Sequence, residues 1–278
     1  MLIDSHSHLN FVAFEKDKER TIKRALKEKI WIINVGSNYQ TSQKAVEITE
    51  NYREGVYAAI GLHPIHLETG LIKIKDDKEE IEIKTKEENF DYQKYKELTK
   101  SEKVVAIGET GLDYYWKPKT TQKKELFKQK QKELFLKELE LAEEMKLPVI
   151  FHCRMAHQDL IEVLKSKIKR QKSKIEGVVH CFTGNLNEAQ EYLKMGLYLG
   201  FNGLIFKMDF DKIIEKMPLE KILIETDCPY LVPPQIGGRN EPIYLKYIAQ
   251  KIAEIKNISF EKVAKITTQN AKKLFNLR

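Results

Sequence analysis

Histidine and acidic residues stand at the ends of short apolar runs throughout this 278-residue sequence. Six of them are candidate metal ligands: His6, His8, Glu109, His152, His180 and Asp227. Imidazole nitrogens combined with carboxylate oxygens suit Zn, Mn, Fe or Ni better than Ca or Mg alone. The cysteines form no C-x-x-C pair, so a structural zinc site made of thiolates is not expected. The residue types therefore predict a metal site built from imidazoles and carboxylates.

The spacing of these residues predicts two neighbouring cation sites. His6 and His8 are two positions apart, so on an extended strand end their side chains point the same way and can chelate one cation. Glu109 has two carboxylate oxygens and can bridge to a second cation, which the histidines of two later strand ends would hold. Two cations about 3.5–4 Å apart can hold a hydroxide and the leaving oxygen of an ester together. Asp227 is expected to bind metal and to accept the proton of the attacking water.

The elements that must position these residues are eight nearly continuous apolar runs that alternate with helical patterns. The runs are residues 2–4, 30–35, 56–60, 104–107, 149–151, 177–179, 197–201 and 222–224. Such runs are typical of parallel strands buried on both faces. Eight of them, with no glycine-rich dinucleotide motif after the first, predict an α/β chain folded as a single (β/α)8 TIM barrel over residues 1–278. In that fold the chemistry collects at the carboxyl ends of the strands, where the six candidate residues fall.

The longest predicted helix begins near Thr120. Phe127, Leu134 and Leu141 form an apolar stripe at helical spacing. Pro148 is expected to stop the helix just before the next strand.

One stretch departs from the barrel pattern. Residues 72–100 carry 8 Lys and 9 Asp/Glu in 29 positions. This is long for the loop between a strand and a helix, so the stretch is interpreted as a charged surface insertion after the third strand, on the catalytic rim. A solvated helix over residues 91–98 is an alternative for its last part.

Composition excludes several classes of protein. Hydrophobic residues make up 42% and charged residues 32% of the chain, which is enough for a sizeable core under a solvated surface. No apolar run approaches the roughly 20 residues needed to span a bilayer, and no secretory signal is visible, so a cytoplasmic protein with no membrane partner is expected. The net charge of +7 is compatible with a polyanion such as nucleic acid but does not by itself indicate one.

Several other conspicuous residues are expected to pack rather than to react. This group consists of His66, His157, Cys153, Cys181 and Cys228. Tyr114, Tyr115 and Trp116 allow two interpretations, a base-stacking wall at the opening of the barrel or packing at its rim.

Seven motifs, taken together and in order, resemble the TatD family of metal-dependent hydrolases over essentially the whole chain. They are DSHSHL (4–9), GLHP (61–64), GETGLD (108–113), HCR (152–154), HCFTG (180–184), ETDCPYL (225–231) and RNEP (239–242). Each motif alone is weakly specific, whereas seven in the family's order are strongly specific. The sequence departs from the family pattern chiefly in the stretch 72–100.

The resemblance implies two metal sites that share Glu109. The first would be held by His6, His8, Glu109 and Asp227, and the second by Glu109, His152 and His180. His63 would lie beside the substrate phosphate, and Arg154 would clamp that phosphate, since guanidinium binds phosphate bidentately. Glu225 would orient a ligand, and the loop 239–241 would shape the wall of the site.

The function that follows is a hydrolase with two divalent metal ions (Zn, Mg or Mn) that cleaves phosphodiester bonds in DNA, in the manner of a 3'-5' exonuclease. Asp227 and Glu109 would be its catalytic residues. Two alternatives stay open: hydrolysis of another ester, foremost aminoacyl-tRNA deacylation, and a metal-binding barrel without catalytic activity. The sequence says little about oligomeric state.

Overall fold

Eight parallel strands form one sheet whose order follows the sequence. The computed structural model describes residues 1–67, 71, 88–116, 118–171 and 174–277. The strands are β1 (Leu2–Ser7), β2 (Ile30–Val35), β3 (Val56–Ile60), β4 (Val104–Asp113), β5 (Val149–Arg154), β6 (Gly177–Val179), β7 (Tyr198–Phe201) and β8 (Ile222–Ile224). A bridge between Ser7 and Cys228 brings the end of the sheet back to its beginning. The predicted (β/α)8 barrel is therefore confirmed.

Three strands run further towards their carboxyl ends than their apolar runs. β1, β4 and β5 continue through His6, Glu109 and His152, where the predicted strands had ended at the last apolar residue. β7 begins at Tyr198, one residue later than predicted. The polar residues extend the strands because they face the opening of the barrel rather than its apolar layers.

Nine helices are described in the same residues. They are α1 (Lys18–Lys27), α2 (Tyr39–Glu50), α3 (Tyr92–Leu98), α4 (Thr121–Met145), α5 (His157–Gln171), α6 (Leu186–Lys194), α7 (Asp211–Lys216), α8 (Leu245–Lys256) and α9 (Phe260–Leu274). The side chain of Thr120 caps α4 by accepting a hydrogen bond from the Lys123 amide, and Lys146 in a left-handed conformation ends it ahead of Pro148. Among the described helices, none is both long and apolar enough to cross a membrane.

The charged stretch 72–100 is not an insertion throughout. Its last part forms α3, in which Tyr95 is only 1% exposed, packs against Phe90 and donates a hydrogen bond to Glu88 (2.7 Å). This part is the barrel's third helix, as the alternative over residues 91–98 predicted, and it begins at Tyr92. One face of it is packed rather than solvated, because the Tyr95 ring is buried. Residues 72–87 lie outside the described part of the chain. Among the described residues, the Glu88 amide donates a hydrogen bond to the carbonyl of His66 (2.8 Å).

Two groups of buried apolar residues hold the barrel together. The larger group joins one set of strand residues, such as Ile32 and Phe151, to the surrounding helices. The smaller group consists of strand residues that alternate with the first set, such as Ile33 and Ile150, and of the end of α9 around Phe275. This alternation is what a barrel with an interior layer and a helix-facing layer requires. The packed interior gives the strand ends a rigid base.

Candidate metal centre

The six predicted ligands all lie at the carboxyl ends of the strands. His6 lies in β1 and His8 just after it, Glu109 in β4, His152 in β5, His180 after β6 and Asp227 after β8. Two backbone hydrogen bonds continue the pairing of β1 with the segment after β8: the Asp227 amide donates to the His6 carbonyl, and the His8 amide donates to the Cys228 carbonyl (each 2.9 Å). The first and last strands of the chain are therefore tied together at this site.

Glu109 lies at the centre of the cluster. Its Oε1 is 2.7 Å from Nδ1 of His152 and 2.6 Å from Nε2 of His180. Its Oε2 is 3.4 Å from Nε2 of His6 and 3.9 Å from Nε2 of His8. One carboxylate thus faces four of the predicted ligand imidazoles, two on each oxygen, and its Oε1 is also 3.5 Å from Nε2 of His63. Donors on both oxygens are what a bridging ligand requires.

Asp227 faces the two histidines of β1. Its Oδ1 is 3.4 Å from Nε2 of His8 and 3.8 Å from Nε2 of His6, and these two nitrogens are 3.1 Å apart. The ligand atoms of these three residues lie within 4.8 Å of one another, as do those of His6, Glu109 and His180. His6 is therefore common to both groups, whereas the resemblance placed it in one site only.

Hydrogen bonds on the far side of two rings decide which nitrogen is free to bind metal. His8 Nδ1 is 2.9 Å from the carbonyl of Val35, so a neutral ring that held its proton on Nδ1 would leave Nε2 to a cation. His152 Nε2 is 3.1 Å from Oδ2 of Asp113, so a neutral ring that held its proton on Nε2 would leave Nδ1 to a cation. Both rings are held as metal-ligating histidines are, by an acceptor behind the ring.

The donor set fits divalent cations. Imidazole nitrogens and carboxylate oxygens lie 2.6–3.9 Å apart around Glu109, close enough to share protons in the ion-free protein or to share cations. Among the described residues, Nδ1 of His6 is buried without a hydrogen-bond partner, so this ring lacks the acceptor that lies behind His8 and His152. Nitrogen and oxygen donors in this combination are those of zinc and related transition metals.

The surrounding imidazoles also lower the pKa of Glu109. Burial raises the pKa of this carboxyl, but the neighbouring imidazoles of His180, His63 and His6 and the hydrogen bond with His152 outweigh burial and hold the pKa well below its usual range. Glu109 is therefore ionised although it is buried.

His180 is affected in the opposite direction. Burial opposes its protonation, yet Glu109 and Glu225 outweigh burial and hold the pKa of His180 well above its usual value. In the ion-free cluster the imidazole would take the positive charge that a bound cation would otherwise supply.

His63 is a hydrogen-bond donor rather than a metal ligand. Its Nδ1 accepts a hydrogen bond from the amide of Ile65 (3.0 Å), which places the proton of the neutral ring on Nε2, 3.5 Å from Oε1 of Glu109. Burial has the largest effect on His63 and, together with the neighbouring His152, holds the pKa of His63 well below its usual value. The ring is therefore neutral. His63, Asp113 and His152 lie close enough together to form a third group of potential ligands. Nε2 of His63 carries a proton, and Nε2 of His152 contacts Asp113, so neither nitrogen is available to a cation in this group.

Arg154 ends β5, two residues after His152, so both side chains emerge on the same side of the strand. Its guanidinium lies over the ring of Tyr115, 3.6 Å from the ring centroid. Tyr115 is exposed and Trp116 packs edge-on against it, whereas Tyr114 is buried and donates a hydrogen bond to Asp159 (2.7 Å). Of the possible aromatic wall, Tyr114 is therefore a packing residue.

Two acids next to the ligands were not singled out from the sequence. Asp113 accepts hydrogen bonds from the amide of Tyr115 (2.9 Å) and from the His152 ring. Asp4 accepts from the amide and the hydroxyl of Thr226 (2.8 and 2.6 Å), and burial raises its pKa to about 8. Both acids lie inside quoted motifs, where they were not assigned a role.

Glu225 lies behind His180, with Oε1 3.5 Å from Nδ1 of that ring. The same oxygen accepts hydrogen bonds from the amide of Cys181 (2.6 Å) and from the side chain of Asn202 (3.2 Å). This is the contact that an orienting residue would make.

The loop 239–241 is tied to the same side of the barrel. Arg239 binds Asp17 with two hydrogen bonds (2.9 and 2.8 Å), and the side chain of Asn240 donates to the carbonyl of Thr226, next to Asp227 (2.8 Å). The loop thus supports the backbone that carries Asp227.

The residues expected to pack do so. His66 is buried, and burial lowers its pKa to about 4. Nδ1 of His157 is 3.0 Å from the Tyr192 hydroxyl within the core. Cys153 and Cys228 are buried and Cys181 is half-buried; within the described residues no cysteine belongs to a group that could hold a metal ion.

Known proteins resemble this chain over its whole length. A family model described as TatD related DNase matches residues 3–276. The metal-dependent hydrolase YabD of Bacillus subtilis is 41% identical over 282 residues, with 100% of both chains covered. The 3'-5' ssDNA/RNA exonuclease TatD of Pectobacterium carotovorum is 30% identical over 286 residues, covering 99% of this chain and 100% of the relative.

The solved structures agree. The TatD homologue YJJV of Escherichia coli superposes with a TM-score of 0.80 at 27% identity, covering 100% of this chain and 98% of that one. Together with the barrel and the cluster of imidazoles and carboxylates at its opening, these matches show that the chain is a metal-dependent hydrolase and belongs to the TatD-related DNase family.

Proposed function

We propose that this protein is a divalent-metal-dependent phosphodiesterase that hydrolyses DNA with two cations bound at the barrel opening. The observation that carries the proposal is the cluster formed by the six predicted ligands, in which four imidazoles surround Glu109 and two of these also face Asp227. His6, His8, Glu109 and Asp227 would hold one cation, and Glu109, His152 and His180 the other. Bound cations supply Lewis acidity towards the phosphate and lower the pKa of a coordinated water towards about 7.

Asp227 is the residue placed to accept the proton of the attacking water. Its side chain is 14% exposed, whereas that of His6 is fully buried, so Asp227 faces the solvent side of the cluster. Burial raises the pKa of Asp227, but the hydrogen bond with His8 and the charges of His6, His180 and His8 outweigh burial and hold the pKa below its usual value. The carboxylate is therefore ionised and can take up a proton at Oδ1.

His63 and Arg154 would bind the phosphate. The Nε2–H of His63 points towards the Glu109 side of the cluster, where a phosphate oxygen can accept it. The stacking of Arg154 on Tyr115 holds the planar guanidinium at the rim, ready for two parallel hydrogen bonds to phosphate. His63 can do this as a neutral ring.

The name of one relative favours a phosphodiester in nucleic acid over another ester: a relative that is 30% identical bears the name of a 3'-5' ssDNA/RNA exonuclease. The net charge of +7 is compatible with a polyanionic substrate.

The test is nuclease activity of the metal-stripped protein resupplied with Mg²⁺, Mn²⁺ or Zn²⁺. We expect the wild type to degrade DNA, and Asp227→Asn and Glu109→Ala to lose that activity at least about a hundredfold. Asp211→Asn, which changes an exposed aspartate in the same way, serves as the matched control and should behave as the wild type. Equal activity of the wild type and both site variants under every metal would contradict the proposal.

The same preparation can distinguish the alternatives. A single-stranded oligonucleotide labelled at either end should lose nucleotides from its 3' end if the protein is a 3'-5' exonuclease. Faster release of an amino acid from aminoacyl-tRNA would instead favour the deacylase. A protein that takes up metal and hydrolyses neither substrate would be the non-catalytic metal-binding barrel.

A further inference from the structure

Helix α4 carries two polar residues on its buried face. Gln131 and Glu138 are both 0% exposed, and they alternate with Phe127, Leu134 and Leu141 along a single stripe at spacings of three and four residues. A polar group in such a position is costly unless it is hydrogen-bonded. The contacts of these side chains therefore indicate what the helix does for the rest of the barrel.

Glu138 bridges two strand ends that carry site residues. Its Oε1 accepts a hydrogen bond from the backbone amide of Leu62 (2.7 Å), and its Oε2 accepts one from the hydroxyl of Thr110. Leu62 directly precedes His63, and Thr110 directly follows Glu109. A single carboxyl thus holds the chain next to the candidate phosphate donor and next to the candidate bridging ligand.

The pairing of β3 with β4 ends before these two places. Its last pair is Ile60 with Ile107, so the Leu62 amide lies beyond that ladder. Thr110 pairs with Phe151 of β5, but the register of that pairing shifts between Ile107 and Thr110, so the backbone around Glu109 departs from the regular pattern. Glu138 supplies a cross-link between the two chain segments where the β3–β4 ladder supplies none.

The two strand ends also approach each other closely. A Cβ atom built on Gly61 would lie 2.8 Å from the carbonyl carbon of Gly108, closer than real side chains come. A small shift of either segment would therefore move the other, and with it His63 or Glu109. The cross-link from α4 sets the relation between both.

We propose that Glu138 is a positioning residue that fixes Glu109 and His63 relative to each other, so that cation affinity depends on a helix side chain that touches neither cation nor substrate. The part that concerns His63 rests on the proposed phosphodiesterase function. The part that concerns Glu109 does not, because cation binding can be measured without any substrate.

Three substitutions separate positioning from general stability. Glu138→Gln keeps an acceptor for the Leu62 amide and offers a donor to the Thr110 hydroxyl, whereas Glu138→Leu offers neither. Thr110→Val removes the contact on the Glu109 side alone and keeps a β-branched residue in the strand. Glu140→Leu makes the same change at an exposed position of α4 and is the matched control.

The experiment is calorimetric titration of metal-stripped protein with Mn²⁺ alone, followed by kcat and KM with DNA. We expect Glu138→Leu and Thr110→Val to weaken Mn²⁺ binding about tenfold, the lower end of the effect of outer partners at metal sites. Glu138→Gln and Glu140→Leu should bind as the wild type does. Because Glu138 acts partly through Thr110, the double variant should lose less affinity than the two single losses combined. Loss of the contact on the His63 side should raise KM in Glu138→Leu but not in Thr110→Val.

Two results would overturn the inference: Mn²⁺ affinity at the wild-type level in both Glu138→Leu and Thr110→Val, or a loss in Glu138→Gln as large as that in Glu138→Leu. If Glu138→Leu does not fold, Thr110→Val and Glu138→Gln decide in its place. A wild type that binds Mn²⁺ but leaves DNA intact refutes the proposed function alone. A wild type that cleaves DNA, with variants unchanged in Mn²⁺ binding, refutes the positioning role alone.

Discussion

The buried carboxyl of Glu138 should make the stability of this protein fall as pH rises. Burial raises its pKa from 4.5 to about 8, and nearby Glu88 raises it further, against the lowering effect of the hydrogen bonds from Thr110 and Leu62. In the unfolded chain the group ionises near pH 4.5, whereas in the folded protein it keeps its proton up to about pH 8. While it is protonated, Oε2 donates to the Thr110 hydroxyl, and once it is ionised Oε2 accepts from that hydroxyl. The folded state therefore binds the extra proton between these values, and the stabilisation is lost as pH rises through that window.

The magnitude follows from the two pKa values. At about 1.4 kcal/mol per pH unit, the wild type should lose roughly 5 kcal/mol relative to Glu138→Gln between pH 4.5 and pH 8. Glutamine keeps both contacts but carries no proton to lose, and other titrating groups such as Asp4 are present in both proteins and cancel in the comparison. At about 2 °C per kcal/mol, the melting temperatures should differ by roughly 10 °C at pH 9 and little at pH 5.

The assay is thermal or urea unfolding of metal-stripped wild type and Glu138→Gln in matched buffers from pH 5 to pH 9. The variant should become the more stable of the two as pH rises. Stability curves that run parallel over the whole range would show that Glu138 titrates at its ordinary value and would refute the account of its burial.

Three further outcomes are expected. Asp113→Asn should weaken Mn²⁺ binding about tenfold in calorimetry because it disturbs the acceptor behind His152, and unchanged affinity would exclude that role. Metal at a hundred times its Kd should stabilise the wild type by about 2.7 kcal/mol in thermal unfolding, but should have far less effect on Glu109→Ala; an equal effect on both proteins would place the metal elsewhere. Phe135→Ala, which removes a fully buried ring packed edge-on against Phe151, should cost about 3–5 kcal/mol in urea unfolding while leaving Mn²⁺ affinity unchanged.

The barrel could be predicted because its strands are apolar on both faces. Four of the eight strands have the bounds that their apolar runs indicate, as β2 and β3 do. The predicted strand bounds were wrong next to the candidate ligands: β4 was expected to end at Ile107 but continues to Asp113. Hydrophobic patterning ends at the first polar residue, although the backbone ladder can continue past it. Charge patterning has a limit as well. α3 lies in a highly charged stretch, yet its Tyr95 ring is buried and packs the helix into the barrel.

The candidate ligands could be recognised because six imidazoles and acids fall together at the carboxyl ends of the strands, which packing alone does not explain. The residues that support them could not be recognised in this way. Glu138 lies on a helix, far in sequence from any ligand, and its importance depends on contacts with Leu62 and Thr110 that only the fold reveals. A polar residue in an apolar helical stripe was the available indication, and Gln131, whose side chain exchanges two hydrogen bonds with the backbone of Asp113, has the same pattern.

The junction between β1 and the segment after β8 has a consequence for biosynthesis. His6 leaves the ribosome early and Asp227 late, and their backbones meet only when the last strand has been laid against the first. A growing polypeptide that stops short of β8 lacks Asp227, so the β1 histidines then face Glu109 alone among the two acids of the cluster. The group of His6, His8 and Asp227 is therefore completed late in synthesis, and a chain truncated before β8 should bind a cation at the β1 histidines more weakly than the whole chain.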